Sequence, residues 1–163
     1  MQAKQDCELN AARRWVERWG QEYAPLGVSV LGDELYWHEP FCRALLAQGF
    51  EFLLVCKPQS HQALYEWVAF LERSGAVQIL LVKRWTGKRH AIDPYRYVAA
   101  VPLREGDDAL PVNWCELTTT TADGQLIYRK AFATSPAVDA STPTPAIHPS
   151  FARISTSSHV PSQ

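Results

Sequence analysis

The chain has 163 residues, of which 47% are hydrophobic, enough for one domain of ordinary size with its own core. Its 16 Lys and Arg residues nearly balance its 17 Asp and Glu residues, which leaves a formal net charge of -1. This composition excludes collagen-like, coiled-coil and wholly disordered chains, and it provides no global positive field. Any contact with nucleic acid must therefore depend on a local patch.

The first part of the chain, residues 1–75, alternates between helical and strand patterns. Apolar residues recur every three to four positions over residues 6–23, which predicts an amphipathic helix that Gly20 and then Pro25 end. Further helices are predicted from His38 to Gly49 and over residues 61–73, and strands over residues 28–31 and 50–56. The order helix, strand, helix, strand, helix is typical of a parallel sheet covered by helices.

The second part, residues 76–135, has the two-residue period of strands. Apolar residues alternate over residues 77–82, 91–101, 110–120 and 125–134, and Asp123-Gly124 is a good hairpin turn. We expect an antiparallel meander of about four strands. Residues 136–163 are rich in Ser, Thr and Pro and have almost no periodic apolar residues, which predicts a disordered tail.

The cysteines and the apolar runs indicate the compartment. Cys7, Cys42, Cys56 and Cys115 are at least 14 residues apart, so we expect buried free thiols in a reducing cytoplasm rather than disulfides or a zinc site. The first ten residues carry no apolar signal core, and no apolar run approaches the about 20 residues that span a bilayer. The sequence therefore predicts a cytoplasmic protein with no membrane partner.

Three polar residues stand where the predicted strands end or a helix begins. Asp33 follows the first strand and Lys57 follows the second, at the carboxyl ends where open parallel sheets place their functional crevice. An acid there can bind a divalent cation, or it can cap a turn or a helix. The adjacent Glu34 does not converge with Asp33 automatically, because neighbouring residues of an extended chain point to opposite faces. His61 fits either a phosphate contact or the start of a helix.

A dense basic cluster lies on the predicted hairpin around Thr86-Gly87. Its members, interleaved with Trp85, are Lys83, Arg84, Lys88, Arg89 and His90. Such a patch can bind a DNA backbone through charge and counterion release. It can equally be a solvated hairpin tip that prevents edge-to-edge aggregation.

Longer strings of the sequence resemble one protein family. They are QDCELNAARRW (5–15), LGDELY (31–36), PFC (40–42), FLLVCKP (52–58) with Ser60-His61, KRWTG (83–87), YRY (95–97), VNWCEL (112–117) and FATS (132–135). Together they are similar to bacterial DDE transposases of the insertion-sequence four-like group. The resemblance covers about residues 4–135.

The resemblance implies an RNase H-like core in which two Asp and one Glu bind two divalent cations, Mg²⁺ or Mn²⁺. Two cations about 4 Å apart activate the attacking oxygen and stabilise the leaving oxygen at the scissile phosphate. Asp33 matches the second Asp of that triad, and the resemblance assigns it as a catalytic residue and metal ligand. The family often has a further Asp at the position of Glu34.

The sequence also departs from the family pattern. The first catalytic Asp of the family precedes the position of Gln5, and the catalytic Glu lies on a helix expected after residues 132–135, where the Ser/Thr/Pro-rich tail stands. No Glu follows Glu116, which belongs to a predicted strand of the insertion and is not assigned to the triad. We expect a transposase fragment that is truncated at both ends, changed in reading frame near Pro136, and inactive by itself.

The expected organisation is an α/β chain in three parts. Residues 1–75 form a partial RNase H-like core, residues 76–135 a β-rich insertion subdomain, and residues 136–163 the disordered tail. The expected DNA contacts are Lys57, Lys83, Arg84, Lys88 and Arg89. The alternative function is a small module without catalysis, which is retained for DNA binding or for association with a full-length transposase.

Overall fold

The structure is a computed structural model that describes residues 2–85, 87–88, 90–120 and 125–135, with the backbone alone for residues 2–7, 84 and 91. The α-helices are α1 (Gln2–Tyr23), α2 (Glu39–Ala47) and α3 (Gln62–Arg73). The strands are β1 (Ser29–Gly32), β2 (Glu51–Cys56), β3 (Gln78–Trp85), β4 (His90–Pro102), β5 (Pro111–Thr120) and β6 (Leu126–Thr134). Short 3-10 helices cover Ala24–Leu26 and Glu34–Tyr36. Within these ranges, no helix is long and apolar enough to cross a bilayer.

All six strands belong to one mixed sheet with the order β1-β2-β6-β5-β4-β3. β1 and β2 are parallel, with Ser29 opposite Glu51, and every other neighbouring pair is antiparallel. The predicted α/β class and the four-strand meander are confirmed. β6 lies beside β2, with Phe132 opposite Val55, and this pairing joins the meander to the parallel pair. The predicted tail and the Asp123-Gly124 turn lie outside the described residues.

Within the described residues, the helices pack on one face of the sheet. Val16 of α1, Leu45 of α2 and Leu64 of α3 share a buried cluster with Phe52 and Leu54 of β2. Each such side chain contributes about 1.5–3 kcal/mol when it leaves water. The apolar stripes of the predicted helices are therefore the surfaces that hold them to the sheet.

The opposite face of the sheet carries a second buried cluster, formed by residues of the strands. Its members are Leu53, Val55, Tyr95, Tyr97, Cys115, Leu117 and Phe132. β2 contributes to both clusters, so five of its six residues are buried. This explains why β2 reads in the sequence as a continuous apolar run, whereas a strand with one solvated face alternates.

Two glycines allow close approaches that a larger residue would prevent. A Cβ at Gly32, where β1 ends, would lie 2.7 Å from Leu54 Cδ2. A Cβ at Gly20 would lie 2.6 Å from Gln48 Oε1. The predicted end of the first helix at Tyr23, before Pro25, is confirmed, but Gly20 lies inside α1, where it lets the helix approach the end of α2.

Candidate functional site

Asp33 stands directly after β1, where it caps the 3-10 helix Glu34–Tyr36. Its Oδ1 accepts a hydrogen bond from the Leu35 backbone N–H at 2.9 Å, and its own backbone is extended. The side chain makes the capping contact that the sequence left as one of two alternatives. Within the described part of the chain, no group of three or more His, Cys, Asp or Glu residues could hold a metal ion.

Lys57 and Glu34 connect the two loops that follow β1 and β2. The Lys57 Nζ and Glu34 Oε1 atoms are 2.8 Å apart, and both side chains are partly exposed. The pair forms because β1 and β2 are parallel neighbours, so the loops that follow them lie side by side at the carboxyl ends of the two strands. The second carboxylate oxygen of Glu34, Oε2, is buried and accepts no hydrogen bond from the described residues. Lys57 is therefore held beside an acid, which reduces its attraction for a phosphate.

A cleft of about 470 Å³ is lined by residues that follow β1 and β2 and by Leu103 and Arg104, which follow β4. His38 and His61, at the N-terminal ends of α2 and α3, line it together with Glu34 and Arg104. Neither histidine side chain caps its helix. The cleft therefore combines two acids, Glu34 and Glu39, with two imidazoles and the Arg104 guanidinium around the starts of two helices. Glu34 is paired with Lys57, and Glu39 is paired with Arg104.

His61, at the start of α3, is a partly buried titratable group of the cleft. Its Nδ1 lies 3.3 Å from the Lys57 carbonyl oxygen and its Nε2 lies 3.4 Å from the Trp37 carbonyl oxygen. The Trp37 ring stands edge-on at 5.0 Å. Burial lowers the pKa of His61, although the Lys57 carbonyl and the Glu34 carboxylate act in the opposite direction. Its position at the start of α3 agrees with the helix-start alternative.

One wall of the cleft is fixed by Glu39, whose side chain is only 9% exposed. Its Oε1 lies 2.7 Å from Arg43 Nη2, and its Oε2 lies 2.8 Å from Arg104 Nε. Arg104 also binds Asp108 and lowers the pKa of that carboxyl group. Sequence reasoning missed this cluster, because Glu39 resembles any acid in a first helical turn and Arg104 lies 65 residues away.

The basic hairpin joins β3 to β4. β3 is the outermost strand on the side of the sheet away from β1. Lys83, Trp85 and Lys88 are exposed there, and the Trp85 ring lies 4.9 Å from the His90 ring. The side chain of Arg84 and the whole of Arg89 lie outside the described parts of the structure. The structure thus places Lys83 and Lys88 on the β3–β4 hairpin, and it places Lys57 after β2, which is four strands away from β3 in the sheet.

Glu116 lies in β5, as predicted, and is 2% exposed. Arg129 and Arg96 surround its carboxylate. Because both cations compensate its charge, Glu116 is a structural acid of the sheet, and it does not line the cleft.

Comparison of the chain with models of known protein families, with curated protein sequences and with solved structures gives no match. The transposase resemblance is therefore supported by the sequence strings alone. The fold adds the positions of these residues: Asp33 follows the edge strand β1, Lys57 follows its neighbour β2, and the basic hairpin joins β4 to the other edge strand, β3.

Proposed function

We propose that this chain is a relative of DDE transposases of the insertion-sequence four-like group that has no strand-transfer activity of its own and contacts DNA through the β3–β4 hairpin. We place it in the cytoplasm, where its three buried free thiols, Cys42, Cys56 and Cys115, would stay reduced. The observation that carries the DNA contact is the exposure of Lys83, Trp85 and Lys88 at one end of the sheet.

The chemistry of this hairpin favours a DNA backbone. Ammonium groups pair with phosphates and release counterions, and an exposed aromatic ring offers a stacking surface. Asp33 and the hairpin lie at opposite edges of a six-stranded sheet, which at about 4.8 Å per strand separates them by about 24 Å. This exceeds the Debye length of about 10 Å at 0.1 M salt, so the Asp33 carboxylate does not oppose phosphate binding at the hairpin.

The family's Mg²⁺ or Mn²⁺ does not fit the described residues. Asp33 caps a turn, Glu34 is paired with Lys57, and no third carboxylate joins them to make a metal-binding group within the described ranges. Mg²⁺ requires near-ideal octahedral geometry, and the transfer chemistry needs two cations held together. We therefore propose binding without catalysis.

DNA binding can be measured by the fluorescence anisotropy of a labelled duplex at low and at physiological salt. We expect a dissociation constant of about 1–100 μM at physiological salt, with little dependence on sequence. Changing Lys83, Arg84, Lys88 and Arg89 together to Ala should weaken binding at least about tenfold. The control changes Arg13, Arg14, Arg18 and Arg73 to Ala, which removes the same total charge elsewhere and should retain most of the binding.

Binding that survives the hairpin substitutions, or that is equally reduced in the control, would contradict the proposal. Asp33→Ala should leave DNA binding unchanged because of its distance from the hairpin. The absence of catalysis is tested with supercoiled and linear DNA in Mg²⁺ or Mn²⁺. Metal-dependent nicking by the purified chain that is lost in Asp33→Asn would show that Asp33 is a metal ligand.

A further inference from the structure

We propose that two copies of this chain associate through β3, which pairs antiparallel with β3 of the second copy to extend the sheet across a two-fold axis. This inference does not rest on the proposed DNA binding, although Lys83 and Trp85 belong to both surfaces. It follows from the position of β3 at an edge, from the apolar side chains it exposes and from the distribution of its charges.

β3 is a long edge strand. It has eight residues and, in the described part of the chain, pairs with β4 alone. β1, at the other edge, has only four residues. A long edge carries a row of backbone donors and acceptors on its outer side and is a template for another strand. An identical strand is always available to a chain that meets its own copy, and antiparallel self-pairing produces a closed dimer.

The exposed side chains of β3 are largely apolar. Ile79, Leu81 and Trp85 are 67%, 64% and 59% exposed, and Ile92, opposite Lys83 on β4, is 63% exposed. These residues share one face of the hairpin, because Leu80 and Val82 point to the buried cluster on the other face. In β1, by contrast, Leu31 is 43% exposed. A strand of a second copy would give Ile79 and Leu81 cross-strand neighbours and remove part of this surface from water.

The charges of β3 select the register of the pairing. Its charged residues are Lys83 and Arg84, both towards its end, and it has no acid. If Leu81 lies opposite Leu81 of the second copy, each Lys83 lies opposite an Ile79 and the two Lys83 residues are about 13 Å apart along the strand. This distance exceeds the Debye length of about 10 Å, whereas a register centred on Lys83 or Arg84 would place like charges in contact.

The size of the surface predicts a weak dimer. The outer backbone of β3 with the exposed parts of Ile79, Leu81 and Trp85 amounts to about 500 Å² per copy, so about 1,000 Å² in total. Interfaces of this size are typical of transient complexes. DNA is a poorer occupant of this surface, because phosphates gain nothing from Ile79, Leu81 and Ile92.

Sedimentation velocity over a roughly 100-fold range of protein concentration tests this directly. We expect the full chain to shift from monomer to dimer as concentration rises. Leu81→Lys places two ammonium groups opposite each other at the two-fold axis and should abolish the shift. Leu31→Lys makes the same change at the β1 edge and should retain it, and circular dichroism should show both variants folded. A monomer at every concentration, or equal behaviour of the two variants, would overturn the proposal.

A cross-linking experiment tests the register. In a Cys7→Ser background, Leu81→Cys should form an intermolecular disulfide under mild oxidation, because the two Cys residues would face each other at the two-fold axis. Lys88→Cys, at the hairpin tip, should cross-link more slowly. Faster cross-linking at Lys88 would contradict the Leu81-centred pairing.

Discussion

Glu116 accepts two hydrogen bonds from the guanidinium of Arg129, from Nε at 2.8 Å and from Nη2 at 3.2 Å. The two residues come from neighbouring antiparallel strands, and the carboxylate is buried whereas the guanidinium is about half exposed. Arg96 Nη1 lies on the other side at 3.8 Å and belongs to a guanidinium that also reaches Glu72 of α3. Arg96 thus links Glu116 in the sheet to Glu72 of α3.

This ion pair should contribute measurably to stability. Arg129→Ala leaves the buried Glu116 with Arg96 alone, and we expect a loss of about 1–3 kcal/mol in the free energy of unfolding. Arg14→Ala, an exposed change on α1, should cost less than about 0.5 kcal/mol. Urea denaturation measures the coupling between the two side chains. The free energy of unfolding lost by the double variant Glu116→Leu/Arg129→Leu should be smaller than the sum of the losses in Glu116→Leu and Arg129→Leu. Additive losses would show that the two side chains are not coupled.

The capping role of Asp33 can be separated from its charge. Asp33→Ala removes the acceptor for the Leu35 N–H and should cost about 0.5–2 kcal/mol. Asp33→Asn keeps an amide oxygen at the same place and should retain most of that stability. Thermal melts without added metal measure both. Equal destabilisation by the two substitutions would indicate that the negative charge, rather than the cap, is what the fold requires.

The partly buried position of His61 predicts a dependence of stability on pH. Because its pKa is lowered in the folded chain, the unfolded chain takes up the proton first as pH falls below the ordinary value of 6.5. His61 therefore opposes folding progressively in the window just below pH 6.5, and its contribution is constant above it. We expect His61→Gln to reduce the slope of unfolding free energy against pH in that window. His90→Gln, at an exposed position of β4, serves as the control, and an unchanged slope for His61→Gln would contradict the prediction.

Three cysteines should be unreactive while the protein is folded. Burial raises the pKa of Cys42, Cys56 and Cys115 to about 12 in each case, so almost no thiolate exists near neutral pH. In a Cys7→Ser background, a colorimetric thiol reagent should detect almost no fast-reacting group in native buffer. The same reagent should detect all three after denaturation in guanidinium. A thiol that reacts quickly in native buffer would contradict the packing around it.

The local order of elements followed from the sequence. The predicted strand at residues 50–56 is observed at Glu51–Cys56, and the predicted helix at residues 61–73 is observed at Gln62–Arg73. Helices and strands differ in period, 3.6 against 2, and each period is visible within a window of a few residues. The place of Asp33 after a strand, and of the cations on a hairpin, follows from the same local information.

The tertiary structure decided which distant residues meet. β6 lies beside β2 although about 70 residues separate them along the chain, and Glu39 meets Arg104 at a distance of 65 residues. Strand order and register depend on packing against the whole sheet, and no local period encodes them. The same packing places Asp33 where it caps a 3-10 helix, Lys57 beside Glu34, and β3 at the edge of the sheet. The sequence shows which charged side chains are present. Only the folded chain determines which partner neutralises each charge, because an ion pair requires that the two charged groups lie close together in space.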